Sequence, residues 1–305
     1  MRVRDLIVGN LDVSLAGSLW LPGGEAVATL LMHPGSGPSD RDNDVYFPPI
    51  REHLLHEGIA VCSFDKRGVG GSTGRWQDAG ILEQADDLLL ALASLLDDAA
   101  APKPVGLFGH SQGGWVVIEA AGRRPQIEFA VASSGPGVSP AEQERYSHRR
   151  HLLDHGVEEA DLSDALAPYD ELLTALRRGA SFDEVRPQLE CPPKLYRRLD
   201  LTLFPDDQEL WSFFARIHDF DPRPRLERVA VPLLATFGAD DPIVPVDESV
   251  RVFREAVPPE LLTVAVFRGA GHRPADAHGY LETLSSFVKG WSSGASSAPA
   301  PRRGA

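Results

Sequence analysis

Short apolar runs recur along the chain, and helix-periodic or charged stretches separate them. Ala26 to Met32, Gly58 to Phe64, Val105 to Phe108, Ile127 to Ala132, Val229 to Phe237 and Leu261 to Phe267 carry few polar residues. Strands buried on both faces read this way, whereas half-exposed strands alternate. Val13 to Leu21 partly alternates, and with Leu6-Ile7-Val8 it predicts two strands at the start of the chain, ended by a turn at Pro22-Gly23-Gly24. Between the runs the period changes to that of a helix. Ile81 to Leu96 sets leucines on one face and turns Glu83, Asp86 and Asp87 away from them. Further helices are expected up to Glu57, through Ala121, after Pro245 and as a closing element to about Lys289, which takes His278 onto its surface. Strand and helix in alternation predict an α/β fold, a mostly parallel sheet covered by helices on both faces.

The alternation is interrupted between Ser139 and about Arg225. No buried strand reads there; the segment is helix-like, rich in charge and proline, and aromatic from Tyr146 through Phe204 to Phe220. Most of these aromatics are expected to form a small core of the insertion's own, a few to roof a pocket. The expected organisation is a core of residues 1–138 and 226–289, a helical insertion at 139–225, and a disordered tail at 290–305, where Ser, Gly, Ala, Pro and Arg predominate.

Composition narrows the classes. A 305-residue chain with 43% hydrophobic content can bury a large core. Its net charge of −14 disfavours nucleic acid and anionic membrane as partners. No apolar run is long enough for a membrane span and no leader is legible, so a cytoplasmic location is expected. Cys62 and Cys191 lack a metal or redox spacing and read as packing residues. His148, His151 and His155 fall near one helical face without an acidic companion motif, and a solvated face is favoured over a metal site. The glycines of Asp65-Lys66-Arg67-Gly68-Val69-Gly70-Gly71-Ser72 miss the dinucleotide spacing, since Thr73 stands where the third glycine belongs. No cofactor is expected.

The candidate chemistry sits where apolar runs end. Val105 to Phe108 leads into Gly109-His110-Ser111-Gln112-Gly113 and then a helix-compatible sequence. This Gly-x-Ser-x-Gly pattern puts a serine on a tight strand-to-helix turn, its hydroxyl clear of the sheet edge and the next amide pointing at any anion that forms there. His110 reads as packing at that turn. A serine hydroxyl is a poor nucleophile at neutral pH and needs a base, for which imidazole is suited, oriented in turn by a carboxylate. The next runs end in Gly238-Ala239-Asp240-Asp241 and Arg268-Gly269-Ala270-Gly271-His272. Ser111, an acid and His272 thus follow in the order serine, acid, histidine.

With that order, and with Gly35-Ser36-Gly37-Pro38-Ser39-Asp40-Arg41-Asp42 after the third strand and Asp65-Lys66-Arg67-Gly68-Val69-Gly70 after the fourth, the chain resembles the α/β-hydrolase superfamily, lid-bearing esterases and acyl hydrolases in particular. The resemblance covers all but the tail and implies the α/β-hydrolase fold, with residues 139–225 as a cap. It implies Ser111 as nucleophile, His272 as base and Asp241, three residues after Gly238, as the acid; the adjacent Asp240 is the alternative. For an oxyanion hole it implies the backbone amides of Gln112 and of Ser36, with Gly35 the near alternative. Pro34, which has no amide, stands where many relatives carry glycine. Arg41 and Asp42 are expected to brace the loop through ion pairing. The implied activity is hydrolysis of carboxylic esters of small or medium acyl substrates through an acyl-enzyme. A peptidase, amidase, thioesterase or acyltransferase would use the same residues, and a non-catalytic ligand-binding protein is the alternative of another class.

Overall fold

The computed structural model describes residues 1–123, 126–199, 203 and 205–292. The chain opens with the antiparallel pair β1 (Arg2–Gly9) and β2 (Ser14–Leu21). Then come β3 (Ala28–His33), α1 (Phe47–His56), β4 (Ile59–Phe64), α2 (Ile81–Asp97), β5 (Val105–His110), α3 (Gln112–Ala121) and β6 (Ala130–Ser133). Between β6 and the next strand lie α4 (Pro140–Asp154), α5 (Leu162–Arg177), α6 (Phe182–Glu190), α7 (Lys194–Arg198), α8 (Gln208–Ile217) and α9 (Arg223–Leu226). The chain finishes with β7 (Leu233–Gly238), α10 (Val246–Ala256), β8 (Leu262–Phe267) and α11 (Tyr280–Ser292).

The strands form one eight-stranded sheet in the order β1-β2-β4-β3-β5-β6-β7-β8. From β4 onward every neighbouring pair is parallel. Successive side chains of a strand point to opposite faces, so the apolar runs feed two cores. Leu30, Met32, Val61, Phe108 and Val131 pack on the face covered by α1 and α11, with Phe47, Leu54, Tyr280 and Leu284. Leu31, Cys62, Leu107 and Ala132 pack on the face covered by α2, α3 and α10, with Leu88, Leu92, Trp115 and Phe253. Each fully buried Val, Leu, Met or Phe among them contributes about 1.5–3 kcal/mol of transfer free energy. This is the three-layer α/β-hydrolase arrangement. Since β4 and β5 lie on opposite sides of β3, the sheet changes winding direction there, and a crevice opens beyond the carboxyl ends of β3 and β5, where ligands of open parallel sheets bind.

Several expectations need correction. Asp87 is not turned to solvent: it is buried, and Arg67 donates to both its oxygens from Nε and NH2 at 2.7 and 2.8 Å. A periodicity argument sees an acid on a helix but not the cation that meets it. Cys62 is buried, whereas Cys191 is exposed at the end of α6. His278 is exposed in the turn before α11 rather than within the helix. α11 runs three residues beyond Lys289, and the expected tail from residue 293 lies outside the described residues, as does Phe204. The insertion's aromatics do not form a core of their own. Tyr169, Tyr196, Trp211, Phe213 and Phe214 join the core of the α2 and α3 face, and among the described residues Leu152, Leu162, Ala165 and Leu166 form a separate buried cluster. Among the described residues no helix is long and apolar enough to cross a membrane.

Candidate active site

β5 ends against the first turn of α3, and the glycines there are sterically required. A Cβ on Gly109 would stand 1.9 Å from Gly113 O, and one on Gly113 would stand 2.6 Å from His33 O. Ser111, between them, takes φ 55° and ψ −120°. A non-glycine residue at such a position costs about 1–3 kcal/mol and persists only when its surroundings over-determine it. They do: Ser111 N–H donates to Ser133 O on β6 at 2.9 Å, and Ser111 O accepts from Gly114 N–H at 2.8 Å.

The loops after β7 and β8 bring Asp241 and His272 to this hydroxyl. Ser111 Oγ–H donates to His272 Nε2 at 2.9 Å, and His272 Nδ1–H donates to Asp241 Oδ2 at 2.8 Å. Asp241 is buried, and its Oδ1 accepts from the amides of Ile243 and Val244 at 2.8 and 3.0 Å. Asp240, the alternative, is exposed. Such a chain of bonds can take the proton of a serine hydroxyl as it attacks an electrophile, and the carboxylate fixes the tautomer that presents Nε2 as acceptor.

The loop after β3 is pinned beside the serine. Gly35 N–H donates to Asn43 Oδ1 at 3.1 Å, so the Gly35 amide is occupied. The amides of Ser36 and Gln112 carry no intramolecular hydrogen bond among the described residues, and both residues line the cavity above Ser111. Asn43, at φ 46°, also donates from Nδ2 to His110 Nδ1 at 3.1 Å, and His110 Nε2–H donates to His272 O at 3.3 Å. His110 is therefore more than packing: it ties the β3 loop, the serine turn and the β8 loop together, its ring tilted against the Tyr46 ring with centroids 4.3 Å apart. Burial, then repulsion from His272, lowers its pKa to about 3, so it stays neutral.

Arg41 and Asp42 brace the loop with different partners. Arg41 forms a bidentate pair with Asp65 at the end of β4, at 2.9 and 2.7 Å, while Asp42 accepts from Arg51 at 2.6 Å. The next residue, Lys66, is buried, and its ammonium donates to Gly35 O and, at 2.9 Å, to Gln112 Oε1. Burial alone lowers its pKa to about 7.

The crevice forms a cavity of about 530 Å³. Its floor carries Ser36, His110, Ser111, Gln112 and His272, and the facing wall, from α4 and α8, carries Gln143, Glu144, Phe213, Phe214 and Ile217. Glu144 accepts from Gln143 Nε2 at 3.1 Å, and burial raises its pKa to about 7. Nothing in the sequence pattern marked Asn43 and Glu144 as cavity residues or Lys66 as a buried group beneath the cavity. Asn43 follows the recognised loop motif by one position, Lys66 lies inside the second motif, and Glu144 sits in a charged stretch that reads as solvated. Among the described residues no group of histidine, cysteine and acidic side chains could hold a metal ion. His148 stacks on Tyr169 at 4.3 Å, whereas His151 stacks on His155 at 4.4 Å.

Comparison with known proteins follows the same lines. An uncharacterized protein of Mycobacterium tuberculosis is 28% identical over 158 residues, half of this chain; the chain spans about half, 54%, of that relative's length. Palmitoyl-protein thioesterase ABHD10 of Rattus norvegicus is 36% identical over 92 residues, 29% of each chain. The solved structure of the Pyrococcus furiosus esterase Pf2001 shares the fold with a TM-score of 0.63 at 21% identity, over 95% of this chain and 91% of that one. The sequence profile of the alpha/beta hydrolase family matches residues 30–283, from the first buried parallel strand to the closing helix, and the chain belongs to that family.

Proposed function

We propose that this hydrolase is a serine esterase that cleaves carboxylic esters of small or medium acyl substrates through an acyl-enzyme. The observation that carries the reading is the continuous hydrogen-bonded run from Ser111 Oγ through His272 to Asp241 on the floor of a cavity. In acylation Ser111 Oγ attacks the ester carbonyl carbon while its proton passes to His272 Nε2. The tetrahedral oxygen is met by the amides of Gln112 and Ser36. Collapse expels the alcohol, which takes the proton from His272. Water, deprotonated by the same imidazole, then releases the acid and restores Ser111. Residues 139–225 act as a cap, and Phe213, Phe214 and Ile217 supply the apolar wall against which the acyl or alcohol group packs.

A second reading, an amidase or peptidase acting next to a free amino group, is favoured by Glu144. A carboxylate facing the cavity beside Phe213, Phe214 and Ile217 suits a substrate ammonium. A chain-length series of nitrophenyl esters, assayed beside aminoacyl nitroanilides with wild type, Ser111→Ala and Glu144→Gln, separates the two. Turnover of esters lost in Ser111→Ala and retained in Glu144→Gln supports the esterase. Turnover confined to aminoacyl amides and lost in both variants defeats it.

A further inference from the structure

A charged group beneath the floor that the hydrolytic steps leave unused is Lys66, whose ammonium reaches Gly35 O and Gln112 Oε1. It is buried, yet no carboxylate lies within ion-pairing distance of it among the described residues, and the neighbouring Asp65 is committed to Arg41. Burying an ammonium without a counter-charge is costly and calls for an explanation. Its two acceptors are specific. One is the carbonyl of Gly35, the other the side-chain oxygen of Gln112. The Gly35 carbonyl belongs to the same trans peptide group as the Ser36 N–H, and in a planar trans peptide the two point in opposite directions. An ammonium anchored on the carbonyl side therefore aims the Ser36 N–H away from itself, and Ser36 lines the cavity. Lys66 thus touches Gln112 and the far side of the peptide group that carries the Ser36 N–H, the two amide donors of the proposed reaction.

We infer, resting on the serine-esterase reading, that Lys66 is a positioning residue of the oxyanion site: it orients and polarises the Gly35–Ser36 peptide, holds the Gln112 side chain back from the cavity, and supplies a positive charge whose negative partner forms only in the transition state. The last element is differential stabilisation. An ester carbonyl in the ground state gains little from a nearby ammonium across one peptide group, whereas the tetrahedral oxyanion gains much in a site shielded from water. The missing counter-ion is then part of the arrangement, since a carboxylate beside Lys66 would cancel the field that the oxyanion feels.

The test compares wild type with Lys66→Met and Lys66→Gln on a nitrophenyl ester, with thermal melting as a control for folding. Two inhibitors are used beside it: a trifluoromethyl ketone, whose serine adduct carries an oxyanion, and the parent methyl ketone, which does not form it readily. Lys66→Met is expected to lower kcat by roughly ten- to a hundredfold, less than loss of a direct donor, with KM changed by no more than about threefold. Trifluoromethyl ketone affinity falls by a similar factor and methyl ketone affinity stays constant. Lys66→Gln, which keeps N–H donors without charge, falls between. A folded Lys66→Met protein with unchanged kcat and unchanged trifluoromethyl ketone affinity overturns the inference, as does equal weakening of both ketones. Should neither variant fold, the wild type labelled at lysine Cε decides. Of Lys66, Lys103, Lys194 and Lys289, the Lys66 resonance moves on forming the trifluoromethyl ketone adduct; an unmoved Lys66 overturns the inference. A folded wild type that turns over no ester overturns the parent reading and this one with it.

Discussion

On the sheet side of the cavity the polar groups are tied to one another across several elements, whereas on the helical side the tie between Gln143 and Glu144 joins neighbours on one helix. Ser111 is fixed by its backbone bonds to β6 and α3, His272 by Asp241 and by the bond from His110 to its carbonyl, and Gly35 by Asn43 and Lys66. The facing wall offers Phe213, Phe214 and Ile217, which pack by shape, and Glu144, whose carboxylate accepts from the adjacent Gln143. The helical segment is joined to the rest of the chain by the buried packing of Phe213 on Trp76 and by exposed polar contacts, in which Glu209 of α8 accepts from Arg75 and Gln77. Exposed pairs of this kind add little stability. The contrast teaches a division of labour. Reaction geometry must be accurate to a fraction of an ångström and is over-determined, whereas selection of a substrate can be left to shape and to a few polar groups on a wall that tolerates change.

Breaking the floor is expected to cost most. Ser111→Ala should lower kcat on a nitrophenyl ester on the order of 10⁶-fold, and Asp241→Asn on the order of 10⁴-fold with an intact melt, because the amide leaves His272 in the wrong tautomer. A loss confined to KM in either variant would contradict the assignment. Asn43→Ala removes the partner of Gly35 N–H and of His110 Nδ1, both buried. It should cost about 1–3 kcal/mol in urea unfolding for each orphaned group and lower kcat by about tenfold, in contrast to Asp240→Ala on the exposed neighbour, which should do neither. On the wall, Phe214→Ala should leave the trifluoromethyl ketone adduct intact and shift the preferred acyl length upward, changing kcat/KM ratios between esters by about tenfold or somewhat more. Equal losses across the whole ester series would place Phe214 with the floor instead.

Acid sharpens the same contrast. Burial lowers His33 and His110 to about 3, the charge of Lys66 adding to the effect at His33, so each takes up a proton on unfolding between about pH 6.5 and 3. Stability therefore falls as pH falls through that window. Glu144, raised to about 7, works in the opposite sense above about pH 4.5, because it is protonated in the folded chain and ionised in the unfolded one. For these three groups the net slope between pH 6.5 and 4.5 is about one proton, roughly 1.4 kcal/mol per pH unit. Melting curves of Glu144→Gln should show a steeper decline over that range than wild type, and an unchanged slope would mean that Glu144 is solvated in the folded protein.

How far the sequence reached follows the same boundary. The serine turn was legible because its cause is local: two glycines where Cβ atoms would collide, an apolar strand before and a helix after. The sheet and the order of serine, acid and histidine were legible because strands buried on both faces announce themselves and their ends share one edge. Choosing Asp241 over Asp240 rested on a family pattern, since two adjacent acids differ only in which one the fold buries. Asn43, Lys66 and Glu144 were out of reach because their roles are set by burial and by loops from distant strands, and a charged side chain reads as exposed until its neighbours are known. The same blindness misread Asp87, and it placed Cys191 in a core that does not cover it.

The proposed chemistry requires the Ser111 hydroxyl to be the reactive nucleophile. Intact mass and peptide mapping after treatment with a fluorophosphonate test this directly. One adduct per chain is expected, on the peptide carrying Ser111, with none on Ser111→Ala and little on His272→Ala. A folded wild type that takes up no probe, or an adduct that persists at another residue when Ser111 is replaced, would contradict the account.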